Sequence, residues 1–80
     1  MNINSVESAT LVAVGYDETS EILQLEFRSH EIYRYFGVPG SVYAALVAAP
    51  SKGRYFNGAI RGHFPHSLVS KSEADGRGES

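Results

Sequence analysis

The chain has 80 residues, 42% of them hydrophobic and 11% aromatic, with seven Lys and Arg against nine Asp and Glu. It is too short for a cleft between two domains, too apolar for a disordered chain, and, lacking cysteine, has neither a disulfide frame nor a thiolate zinc site. No apolar run reaches the roughly 20 residues of a membrane span, and residues 1–8 show no signal-peptide pattern, so the expectation is a cytoplasmic monomer without membrane contact.

Residues 9–16 (ATLVAVGY) form an apolar, β-branched run, and residues 22–27 (ILQLEF) alternate, with Leu23, Leu25 and Phe27 on one face and Gln24 and Glu26 on the other. The polar Asp17-Glu18-Thr19-Ser20 between them predicts a turn, and Gly15 a bulge or a close backbone approach. A third strand is expected over residues 32–36 (IYRYF), after a hairpin-sized Ser29-His30-Glu31 link. Pairing Phe27 with Tyr33 sets Glu26 opposite Arg34 and puts Tyr33 and Tyr35 on the face of Leu23 and Leu25.

After Gly37 the period changes. Val38-Pro39-Gly40-Ser41 reads as a helix start, and residues 42–49 (VYAALVAA) as an amphipathic helix with Val42, Ala45, Leu46 and Ala49 toward the sheet, ended by Pro50. Ser51 suits the N-cap of a second short helix, with Phe56, Ala59 and Ile60 as its apolar stripe and Arg54, Asn57, Gly58 and Arg61 as the opposite, basic one. The expected fold is α+β: a three-stranded antiparallel sheet followed by two helices packed on one face. One domain over residues 5–64 and a Ser-, Gly- and charge-rich disordered tail over residues 65–80 complete the organisation.

Charge is unevenly placed. Residues 1–31 carry a net −5, while residues 32–64 carry Arg34, Lys52, Arg54 and Arg61 with no acid, a net +4. Such a basic island suits a polyanion, and it is equally the pattern of an ordinary solvated surface. Ser51-Lys52-Gly53-Arg54 combines a helix cap with two cations, either a phosphate site or a plain helix start. Tyr33 and Tyr35 are either core or a stacking platform for bases. No GxSxG, GxxxxGK[ST] or GxGxxG occurs, and His30, His63 and His66 lack metal-site spacing, so the expectation is a protein without catalytic residues, metal or cofactor, and not an enzyme.

The ordered set GYD (Gly15 to Asp17), LQLEF (Leu23 to Phe27), YRY (Tyr33 to Tyr35), VP (Val38-Pro39), VY (Val42-Tyr43) and AAPSKGRYFNGAIR (Ala48 to Arg61) resembles the KTSC domain family over about residues 5–64. The family takes its name from the C-terminal domain of some lysyl-tRNA synthetases, and its YxY hallmark falls here on Tyr33-Arg34-Tyr35. His30 stands where the family often has Gly, and His tolerates a left-handed backbone better than most residues. The resemblance implies a binding module, with RNA suggested by the synthetase context. The basic island then supplies the candidate contacts Arg34, Ser51, Lys52, Arg54 and Arg61, beside the motif tyrosines Tyr33 and Tyr35. The alternative is a protein–protein interaction module acting through the open sheet face or an edge strand.

Overall fold

The computed structural model describes residues 1–71, in which five strands form one antiparallel sheet ordered β1-β2-β3-β4-β5. The strands are β1 (Asn2–Ser5), β2 (Leu11–Asp17), β3 (Ile22–Phe27), β4 (Glu31–Phe36) and β5 (His66–Lys71). Between β4 and β5 lie α1 (Gly40–Ala48) and α2 (Lys52–Tyr55), the latter continued by a π-helical turn over Phe56–Ile60. The class is α+β with two helices after the central strands, but the sheet has five strands rather than the expected three. Both additions are edge strands, NINS and HSLVSK, whose place rests on backbone pairing that an apolar pattern does not report. Residues 66–71, expected within a disordered tail, are therefore β5, the Pro65 carbonyl before them accepts from the Phe36 N–H at 2.9 Å, and residues 72–80 of that expected tail lie outside the described residues.

The polar turn after Asp17 stands at its expected place, and Asp17 Oδ1 accepts from the Thr19 N–H at 3.1 Å. The β2 irregularity falls between Leu11 and Ala13, whereas Gly15 pairs regularly with Ile3 and Gln24. In the β3–β4 hairpin the register is two residues from the expected one: Leu25 faces Tyr33, Gln24 faces Arg34 and Glu26 faces Ile32. Because side chains alternate with period two, the slip keeps Tyr33 and Tyr35 on the face of Leu23 and Leu25 but dissolves the Glu26–Arg34 pair. The cause is the turn. The His30 N–H donates to the Phe27 carbonyl at 2.9 Å and His30 adopts φ 75°, so Arg28-Ser29-His30 closes a three-residue loop with its last residue left-handed.

Helix α1 starts after Pro39, which is extended at φ −66° and ψ 152° and whose carbonyl accepts from the Val42 N–H. Leu46 is fully buried, and Val42, Ala45 and Ala49 are less exposed than Ser41, Ala44 and Val47, as the helical period requires. Ser51 caps α2, its Oγ accepting from the Arg54 N–H at 3.4 Å. A Cβ on Gly53 would lie 2.5 Å from Thr10 Oγ1, so this glycine lets α2 close against the chain leading into β2. One core results, in which Leu46, Phe56 and Ile60 of the helical layer join Leu11, Val14, Leu23, Leu25 and Tyr35 of the sheet, with Val38 from the connection.

Candidate nucleic-acid interface

Alternation along β4 sets Glu31, Tyr33 and Tyr35 on the helix-bearing face of the sheet and Arg34 on the other. Pairing with β5 brings His66 opposite Tyr35 and Leu68 opposite Tyr33. The His66 ring stacks on Tyr35 with centroids 5.2 Å apart and planes at 28°, and lies 5.7 Å from the Tyr33 ring. Phe27 meets Tyr33 edge-on at 5.9 Å, and Phe56 meets both Phe27 and Tyr35 edge-on, at 5.3 and 5.7 Å. These are the separations that aromatic quadrupoles favour, and they fix the rings without filling the space above them. The result is an open cleft of about 280 Å³, walled by these five rings and bounded by Glu31, Arg61 and Gly62.

The π turn decides which cation reaches that cleft. The Arg61 N–H donates to the Phe56 carbonyl at 2.8 Å, an i to i−5 bond that widens the turn and changes the phase of the residues beyond it. The expected basic stripe of Arg54, Asn57, Gly58 and Arg61 is therefore split. Arg61 lines the aromatic cleft, while Arg54 and Gly58 line a separate depression with Pro50, Tyr55 and Ala59. Gly62 at φ 80° then turns the chain back toward β5, a conformation that L side chains rarely adopt.

The other expected contacts are dispersed. Arg34 is exposed on the far face, where its Nε donates to Gln24 Oε1 at 2.8 Å. Lys52 is half-buried and its Nζ donates to the Ala49 carbonyl at 3.3 Å; Ser51 is occupied as the cap and Arg54 is exposed. Tyr35 is core by burial, at 5% exposure, and Tyr33 is half-buried, yet both also line the cleft. Burial pushes the Tyr35 hydroxyl above the usual tyrosine range, the neighbouring Tyr33 adds to this, and the Arg61 guanidinium opposes it.

Sequence reasoning missed Glu31, Phe27, Phe56 and His66 as cleft residues. The period-two face of β4 holds the signal for Glu31. For His66 the signal is the pairing of a strand whose composition reads as tail, and for Phe56 it is a helix phase that only the π turn sets. Among the described residues, no helix is long and apolar enough to cross a membrane.

The family model of the KTSC domain matches residues 7–64. A lysine–tRNA ligase of Nostoc sp. is 44% identical over 64 residues, which make up 80% of this chain and 11% of the ligase, so the chain spans about a tenth of that relative's length. A protein of Tsukamurella paurometabola is 42% identical over 59 residues, covering 74% of this chain and 88% of that one. Among solved structures, a KTSC domain protein from Yersinia pestis matches with a TM-score of 0.84 at 33% identity, covering 86% of this chain and 97% of the other.

Proposed function

Because this chain belongs to the KTSC domain family, we propose that it is a small non-catalytic module that binds single-stranded RNA, stacking an unpaired base in the cleft of Tyr33, Tyr35 and His66. The observation that carries this reading is the open aromatic cleft with a guanidinium at its rim, since every base offers a π-face and stacking is worth about 1 to 3 kcal/mol per base. Arg61 stands at the rim of the cleft, and the exposed Arg54, with Lys52 on the same short helix, supplies the cations for the adjoining backbone. Arg34, on the far face and bonded to Gln24, has no part in it. The relatives named as lysine–tRNA ligases support an RNA partner, and a cysteine-free chain suits the cytoplasm, where such a partner is met.

With at most two phosphates neutralised, by Lys52 and Arg54, log affinity should fall with log salt at a slope no steeper than about −1.4, near −0.7 per contact. The test is an amide-shift titration of the labelled protein with a tRNA pool and with short single strands. Shifts centred on Tyr33, Tyr35, Arg61 and His66 are expected, and Lys52→Glu with Arg54→Glu should flatten the salt slope while those shifts persist. Absence of shifts with every RNA at low salt would overturn the reading.

A second reading is favoured by the edge strand β5, where Leu68 and Val69 are 49% and 45% exposed. Such an edge suits a partner strand or a second copy. Oligomerisation that depends on protein concentration and proceeds without RNA would support it, and a monomer at every concentration would count against self-pairing.

A further inference from the structure

The aromatic cleft is bounded by two charges of opposite sign on different elements: the Glu31 carboxylate, on the same face of β4 as Tyr33 and Tyr35, and the Arg61 guanidinium at the end of the π turn. The half-buried Glu31 is oriented by Ser29, whose Oγ donates to Oε1 at 3.3 Å. A carboxylate accepts only and a guanidinium donates only, so the cleft offers paired acceptors on one side and paired donors on the other.

Resting on the RNA-binding reading, and going beyond it to base identity, we propose that the cleft selects guanine. Guanine alone among the four bases presents two adjacent donors on one edge, N1–H and the 2-amino group, and two adjacent acceptors on another, O6 and N7. The first pair matches Glu31 and the second matches Arg61 in the bidentate geometry by which arginine reads guanine. Adenine sets its N1 lone pair against the carboxylate, cytosine has adjacent acceptors in N3 and O2 but no adjacent donors, and uracil has neither pair. The ring stacks against Tyr33 and His66, whose planes are already fixed by their contacts with Tyr35 and with each other.

The experiment compares the pentanucleotides UUGUU, UUAUU, UUCUU and UUUUU with UUIUU, whose inosine lacks only the 2-amino group, and with GMP. UUGUU should bind at least about ten-fold tighter than the A, C and U strands, the size of one good bidentate contact. Inosine should lose several-fold of that, and Glu31→Gln should reduce the preference for G over A by several-fold, leaving the part that Arg61 reads, without weakening UUUUU. Equal binding of G and A strands, or a preference untouched by Glu31→Gln and by inosine, would overturn guanine selection while leaving RNA binding in place. No binding by any strand overturns both readings together. GMP binding as tightly as UUGUU would replace RNA with a free nucleotide as the ligand. Inosine alters the RNA alone, so it decides the matter even if the Glu31 variant is poorly folded.

Discussion

The same face of one sheet behaves differently at its two ends. In the register Val14, Leu25, Tyr33 and Leu68 stand side by side across β2 to β5, and their exposure runs from 1% and 0% through half-buried to 49%. The parallel row of Leu23, Tyr35 and His66 runs from fully buried to exposed. Leu46, Phe56 and Ile60 close the helical layer over the first half, whereas β5 extends beyond it. Valine and leucine hold the part of the face that the helices seal, and tyrosine and histidine, with polar tips, stand where the seal ends, Leu68 being the aliphatic exception at the open edge. Stability is concentrated in the closed half, and the ligand chemistry proposed for this domain lies at the open margin.

Mutations that exchange the demands of the two halves should break this contrast. Leu25→Ala in the closed half should cost about 2 to 5 kcal/mol, the range for a buried leucine with its cavity, whereas Leu68→Ala should stay within about 0.5 kcal/mol. Denaturant unfolding of both variants makes the comparison. Since a domain this small has only about 3 to 5 kcal/mol in reserve, Leu25→Ala is expected to lose its cooperative transition. Similar losses in both variants would show that β5 is sealed after all.

The next effect belongs to the seal itself. Gly53→Ala pushes a methyl group into Thr10 and should destabilise by about 1 to 3 kcal/mol. If instead it stabilises the protein through better helix propensity, α2 is less tightly seated than the 2.5 Å approach implies. Smaller still, His30→Gly relieves a left-handed backbone at φ 75° in the β3–β4 loop and should raise stability by up to about 1 kcal/mol, read as a higher melting temperature.

The smallest effect lies at the margin between the halves, on Tyr35. Its folded-state pKa is raised by burial, so its stabilising contribution is complete below the unfolded value of about 10 and is lost as pH rises through the higher folded one. Melting temperature should therefore be insensitive to Tyr35 at neutral pH and fall in alkali, less steeply in Tyr35→Phe. An identical alkaline fall in that variant would assign the loss to other groups.

Much of the closed half is legible in the sequence, because burial leaves a periodic trace. The alternation of Leu23 and Leu25, the helical spacing of Val42, Leu46 and Ala49 and the Ser51 cap all lead to elements found in place. The β3–β4 register is not legible in the same way: an ion pair between Glu26 and Arg34 argues for one pairing, and loop geometry, through the left-handed His30, imposes another two residues away. The open margin leaves little trace. β5 has one apolar pair, its partners are backbone groups, and the residue that completes the stack, His66, reads from sequence as tail. Arg61 is found by its charge, but its separation from Arg54 depends on a π turn that no residue pattern announces.

The meander order has a further consequence, for the sequence of folding events. β2, β3 and β4 are joined by short turns, so their pairings close early at small cost in chain entropy. His66 meets Tyr35 only across the long connection that contains both helices. The wall of the cleft is then the last part to be laid down and the first to be released, and the β5 amides should exchange with solvent through local openings that leave the β2–β3 amides protected. A ligand held between β4 and β5 would slow that exchange selectively, tying occupancy of the cleft to the lifetime of a single edge strand.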